Sequence, residues 1–412
     1  MFLRLVCGSI CVQNRSFPVS GSDAAQYSPG HGTYSIMCVI ECRGRFDARR
    51  LQTAVQRTAQ EIPILTSRYI CENGVPVRWE PIEDLPGFVS VRNRPVLEEV
   101  ALPHAIENSP PLRILLCRAA DHDDLLVLLD HVASDARGMF VVLSLIAAAY
   151  AGRESAVPPQ PEDRSFRQLF ARYPPETLRP ALLPPLYPWK SPLKNCLRPG
   201  TPLQIVHRSL NRETFSAVRT FGKNNGATVH DLLTAAFAAA LKDFGAAGTV
   251  PIESVMDMRP LLGPEAAGWI GNFSANYRTA VSVAGGFPDI LRTSAAAGTA
   301  FKNGSPAAAA LRYLDPAVRT KHGIRIPEDE AGLDLRTPFL SNIGIIPSAA
   351  GDFGGQISVR KIWMVTDYPS GSYPSFVAGT WDGELHLAAS ASTGAALTGE
   401  LFDRIISILS TF

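Results

Sequence analysis

Residues 46–69 read FDARRLQTAVQRTAQEIPILTSRY, and Leu51, Val55 and Ala59 recur on one face of a 3.6-residue period. Asp47 stands where an N-cap is wanted and Pro63 stops the run, so the pattern predicts a helix followed by an extended exit over residues 64–70. The pattern changes after residue 111. Residues 112–118 predict a strand, the DHDD of residues 121–124 a polar turn, and residues 125–130 a nearly unbroken apolar run. Such a run suits the second strand of a hairpin, buried on both faces. A loop, HVASDARG, separates it from an alanine-rich apolar stretch over residues 139–150 that reads as a buried helix.

The second half repeats the mixture. A strand is predicted over 203–210, a helix over 211–224 with Phe215, Val218 and Phe221 on one face, and a second helix opened by Thr228. Strands follow over 250–258, 340–347, 357–365, 376–381 and 384–390, with Asp382-Gly383 as a hairpin turn, and an amphipathic helix over 397–409. Between the halves, residues 158–202 hold 12 of the chain's 33 prolines. That density excludes a long helix or a central strand. The segment reads as a surface crossover linker, dividing the chain into lobes 1–157 and 203–412 of mixed α/β character. No repeat of solenoid length interrupts this two-part reading.

Composition adds bounds. With 412 residues, 46% apolar, the chain can bury two ordinary cores. Its 39 basic and 38 acidic residues nearly cancel, so nothing in the balance calls for nucleic acid or an anionic membrane. The N-terminal MFLRLVCGSICV is short and broken by Arg4, and no apolar run reaches the roughly 18 residues of a membrane span. A soluble cytoplasmic protein is the expectation. Cys7, Cys11, Cys38, Cys42, Cys71, Cys117 and Cys196 are odd in number and lack a Cys-x-x-Cys pair, and are expected to be reduced core residues without metal.

The residues with chemical promise follow the apolar strand: His131-Val132-Ala133-Ser134-Asp135. A histidine at a buried strand end invites a fixed tautomer and a shifted pKa, and Asp135 can orient the ring or pair with a distant cation. Taken alone, HxxxD is a weak pattern, and a strand-end histidine is more often structural. The DHDD cluster has metal-ligand composition but falls on a predicted hairpin tip, where solvated aspartate is ordinary. No phosphate loop of the GxxxxGK[ST] type and no G-x-S-x-G elbow occurs, and His230, on a predicted helix, reads as structural.

Five blocks in order change the weight of that histidine. Residues 46–69, the hairpin PLRILLCRAADHDDLLVLLDHVASDARG, the helix GATVHDLLTAAFAAAL, SVMDMRPLL with GWIGNFS, and LSNIGIIPSAAGDFGG resemble those of the chloramphenicol-acetyltransferase-like superfamily. That superfamily includes CoA-dependent and polyketide-associated acyltransferases, plant HxxxD acyltransferases and nonribosomal-peptide condensation domains. The sequence departs at Asp130, where HHxxxDG has its first histidine, at Ala136 in place of the motif glycine with Gly138 displaced beyond it, at Thr66, and in DFGGQ, which lacks a tryptophan.

The resemblance implies two α/β lobes, each a mixed sheet with helices, with a tunnel between them and His131 at its middle. It implies that His131 is the general base, that Asp135 pairs structurally with Arg259, and that Asp352 is structural. Ser341 and Asn342 fall in the block that faces the histidine, where the Ser341 hydroxyl can donate to an oxyanion and Asn342 can contact substrate. The donor would be acyl-CoA or an acyl carrier protein, the acceptor a hydroxyl or amine, and no further cofactor is required. Transfer would be direct and the protein a monomer. Two alternatives stay open: a condensation or cyclisation enzyme, and a non-catalytic module that docks a carrier protein.

Overall fold

The computed structural model describes residues 16–28, 32–102, 104, 109–178, 203–314, 337–366, 375–391 and 394–412. The unbroken apolar run lies in a strand covered on both sides. Strand β1 (Ser35–Arg43) and the hairpin β3 (Leu112–Arg118) and β4 (Asp123–Asp130) form the middle of a five-stranded sheet, with β2 (Val89–Arg92) parallel to β3 at one edge. Leu125, Val127 and Leu129 share a core with α1 (Ala48–Gln60) and α2 (Ala136–Tyr150). The alternate residues, Leu126 and Leu128, pack on the opposite face with Met37, Val39 and Trp363. Alternation therefore exists, but both phases are apolar because both faces are dry.

The other sheet has six strands in the order β5 (Gln204–Leu210), β11 (Glu384–Ala391), β10 (Ser375–Trp381), β8 (Phe339–Ile345), β6 (Thr249–Asp257), β7 (Ser274–Ser282). Helices α3 (Arg212–Asn224), α4 (Val229–Asp243), α5 (Phe287–Asn303) and α6 (Ala395–Leu409) contribute to its core through Phe215, Phe237, Ile290 and Phe402. The halves are not separate in their sheets. Strand β9 (Ser358–Thr366), from the second half, runs antiparallel to β1 and completes the first sheet at its other edge.

Local chemistry explains most boundaries. Asp47 caps α1 by accepting from the amides of Arg49 and Arg50, Asn211 caps α3, and Thr228 and Asp231 form a reciprocal capping box on α4. Burying Leu51 and Val55 of α1 contributes about 1.5–3 kcal/mol each. Asp382 and Gly383 both take positive φ, 46° and 82°, as a type I′ turn between β10 and β11 requires.

Four expectations are corrected. The exit after Pro63 is first a 3-10 turn (Pro63–Thr66), and only Ser67–Glu72 is extended. Asp123 and Asp124 are not turn residues but buried members of β4. Asp123 pairs with Arg45 at 2.9 Å and accepts from the Phe46 amide, while Asp124 accepts from the Cys42 amide at 2.8 Å. These carboxylates satisfy amides where the chain leaves β1, so burial is compensated. Helix α2 starts at Ala136, three residues before the apolar stretch, because Asp135 caps it. The proline-rich segment is not merely draped over the surface: it contains a short helix (Arg167–Arg172), and Phe166, Leu169 and Leu178 are buried with Met258, Leu262, Trp269 and Phe273.

Residues 179–202 lie outside the description, as do Cys7, Cys11 and Cys196. Cys38, Cys42 and Cys117 are buried as expected, but Cys71 is exposed rather than in the core; burial pushes the Cys117 thiol up to about 12. Among the described residues no helix is long and apolar enough to cross a membrane.

Candidate active site

Strand β4 ends at Asp130, whose carboxylate accepts from the Val132 amide at 2.8 Å and turns the chain. His131, the next residue, donates its amide to the Tyr34 carbonyl at 2.9 Å, which ties it to the entrance of β1. Its half-buried imidazole lies edge-on to the Tyr34 ring at 5.0 Å, and the Tyr34 hydroxyl is held by Gln26 at 2.6 Å. Nδ1 of His131 is 3.2 Å from Oδ1 of Asn272, a residue of the second half. Burial pushes the imidazole pKa below its ordinary value; its own carbonyl, Asp135 and Asn272 oppose that shift without cancelling it.

Asp135 does not touch the ring through a hydrogen bond. It caps α2 by accepting from Gly138, accepts from the Phe273 amide, and receives two bonds from the Arg259 guanidinium at 2.9 and 3.0 Å. Both partners are buried, 5% and 2% exposed, so the pair is nearly cut off from water. The remaining Arg259 donors reach Asp257 and the Trp269 and Gly271 carbonyls. Desolvation opposes the charge on Arg259, but Asp135 and Asp257 outweigh it and raise its pKa above the ordinary arginine value. The arrangement is a fully hydrogen-bonded fork that joins the start of α2 to the loop after β6.

Gly138 fits the same junction. A Cβ there would stand 2.0 Å from the Ser134 Oγ and 3.2 Å from the Gly271 amide nitrogen. Ser134 Oγ in turn accepts from that amide at 3.1 Å. The junction thus leaves no room for a side chain at Gly138, while Ala136 carries its methyl group at the start of the same helix.

The structure brings His131, Asp135, Gly138 and Arg259 together. Ser341 and Asn342 lie half-buried on β8, and Asn342 accepts from the Gly344 amide at 3.0 Å across a bulge in the β8–β10 pairing. The end of β8 reaches the first turn of α2, since a Cβ on Gly344 would stand 3.1 Å from Arg137 Nη2. Among the described residues neither Ser341 nor Asn342 is hydrogen-bonded to His131. Asp352 is elsewhere. It pairs with Arg153 at 2.6 Å just past the far end of α2, and 15 residues at about 1.5 Å each place it roughly 20 Å from Asp135.

Three contributors escaped the sequence reading. Asn272 was visible only as part of GWIGNFS. Asp23 is fully buried, and Arg164 of the proline-rich segment reaches it at 3.3 Å while donating to the Ile270 and Ala133 carbonyls at 2.6 Å each. Asp23 and Arg164 sit in segments without helical or strand periodicity, and no local signal marks either. Among the described residues no cluster of three or more His, Cys, Asp or Glu side chains could hold a metal ion.

No family model matches this sequence, and no curated protein matches it. Solved structures do. Polyketide synthase associated protein 5 from Mycobacterium tuberculosis is similar over 97% of both chains, with TM-score 0.66 and 16% identity. The epimerization domain from the third module of tyrocidine synthetase B is similar over 96% of both, with TM-score 0.66 and 16% identity. The first condensation domain of the CDA synthetase covers 92% of this chain and 90% of its own, with TM-score 0.65 and 18% identity. The fold is thus the chloramphenicol-acetyltransferase-like one, two α/β lobes of the kind these proteins share.

Proposed function

We propose that this chain, built on the two-lobed chloramphenicol-acetyltransferase-like fold, moves an acyl group from a CoA or carrier-protein thioester to a hydroxyl or amine, with His131 as general base. The observation that carries the reading is the placement of His131. It is a neutral, partly desolvated imidazole at a strand end, held from both halves of the chain and backed by the buried Asp135–Arg259 fork. A polyketide-associated protein and a condensation domain among the similar folds support a biosynthetic setting and a thioester-borne donor.

The chemistry needs no acyl-enzyme. The imidazole nitrogen not engaged by Asn272 takes the acceptor proton as the acceptor oxygen or nitrogen attacks the thioester carbonyl. A tetrahedral oxyanion forms, with Ser341 as its proposed donor and Asn342 as a proposed substrate contact. The carbon–sulfur bond then breaks, and the thiolate takes the proton back from the imidazolium. His131 ends neutral, and the products are acylated acceptor and free thiol. Asp135 and Arg259 do not enter the proton path; they fix the backbone that carries the histidine. One chain supplies all the residues named, so a monomer suffices, and neither a metal nor a further cofactor is proposed.

The test is direct. The protein is incubated with acyl-CoAs, acyl-loaded carrier proteins and a panel of acceptors, beside His131→Ala, and products are read by mass spectrometry. Transfer that falls by about 10²–10⁴-fold in the variant is the expected result for loss of a general base. Equal transfer by both proteins would remove the assignment of His131. Turnover of a carrier-bound substrate without net acyl transfer would favour a condensation or epimerization chemistry, and binding of carriers without any turnover would favour a docking role.

A further inference from the structure

An asparagine side chain has two unlike ends: Oδ1 only accepts and Nδ2 only donates. At Asn272 the environment decides which end is which. Nδ2 faces the Asp23 carboxylate at 2.9 Å, the His131 carbonyl at 2.8 Å and the Val132 carbonyl at 3.3 Å. All three are acceptors. Exchanging the amide ends would set Oδ1 against three oxygens in a buried site, so the orientation is fixed by chemistry.

Oδ1 then points at His131 Nδ1, 3.2 Å away; the ring also bonds its own carbonyl, and an acceptor at Nδ1 requires the proton there. The amide grips the histidine at two points, taking a hydrogen bond from the ring and giving one to the main-chain carbonyl of the same residue. We infer that Asn272 is a positioning residue that holds His131 as the Nδ1–H tautomer and leaves the Nε2 lone pair free. Behind it, Asp23 supplies the acceptor that orients Asn272. Arg164 holds both oxygens of Asp23 at 3.3 Å, and the Ser20 hydroxyl accepts from the Asp23 amide. The order of support runs from Arg164 through Asp23 and Asn272 to the ring, and draws on the N-terminal segment, the proline-rich segment and the loop before β7.

The bearing of this arrangement on rate rests on the general-base reading of His131; the tautomer itself does not. The experiment is long-range ¹⁵N–¹H NMR of protein labelled in its histidine rings, with His131 assigned by its loss in His131→Ala. At pH well above the ring pKa the natural protein is expected to show Nδ1 protonated and Nε2 bare. In Asn272→Leu, close in volume but without hydrogen-bonding groups, the two nitrogens are expected to move toward a mixture of tautomers. In the transfer assay kcat falls, toward the roughly 10⁴-fold loss known for a mis-set catalytic histidine, with KM little changed. A natural protein protonated at Nε2 of His131 would overturn the inference outright, whatever Asn272→Leu does. So would Asn272→Leu keeping a pure Nδ1–H ring. An Nδ1–H ring that shifts in Asn272→Leu, in a protein that transfers no acyl group from any donor, would sustain the tautomer inference and fault the proposed function instead.

Discussion

At His131 burial does two things at once: it favours the neutral ring and it restricts the ring's partners. A pKa held below the ordinary 6.5 keeps the ring unprotonated at neutral pH, as the proposed base role requires. The acid limb of kcat/KM is therefore expected below pH 6.5, measurable as a pH–rate profile, and a limb above 6.5 would contradict the desolvated site. Asp135 and Arg259 set a different problem. Removing one partner leaves the other charge stranded where Asp135 is 5% and Arg259 2% exposed. Arg259→Met is expected to cost about 3–5 kcal/mol in urea unfolding, far beyond a surface pair. These residues were legible because a compact motif and an ordered set of blocks mark them. Asn272 and Asp23 were not, because their roles depend on contacts 141 and 249 positions apart in sequence, which no local pattern encodes.

At the scale of elements, the first turn of α2 carries most of the precision. It is capped by Asp135 and passes so close to Ser134 and the loop at Gly271 that Gly138 has no room for a methyl group. Gly138→Ala is expected to destabilise by about 1–3 kcal/mol, as overpacking does. Adding Ser134→Ala, which removes the nearest atom, should return part of that loss, and a double-mutant cycle in denaturant reads the coupling. Helices with one apolar stripe and a capping residue, such as α1 and α3, could be read from the sequence almost to the residue. Strand β1 could not: it is covered on both faces like β4, but its partners β4 and β9 are distant in sequence, so no hairpin marks it. Helix α5, with its SAAAGTA stretch, has too little apolar contrast to announce a face.

For the whole molecule, the junction of the sheets is the sensitive place. His207 of β5 stacks on Trp363 of β9 with ring centres 4.4 Å apart, and its Nε2 lies 3.2 Å from Nδ1 of His386 in β11. Burial, with Lys361 nearby, lowers His207 to about 3 and His386 to about 4. The unfolded chain titrates these rings near 6.5, so it binds more protons than the folded one below that pH. Their contribution to stability is full above about pH 6.5 and is lost as pH falls toward 4 and then 3. The urea midpoint should decline over that window, and less steeply in His386→Gln; an unchanged slope would count against the pair as its source. The division into two mixed α/β lobes was readable from the order of elements, but the exchange of β9 was not, since strand propensity does not name a partner. That exchange has a consequence for how the gene can be cut. A break anywhere between residues 211 and 338 would leave the leading piece without the strand that covers β1, and the trailing piece with an unpaired β9. Two such fragments, expressed together, would each supply what the other lacks, which is the requirement for a split protein that reports on whatever brings its pieces into proximity.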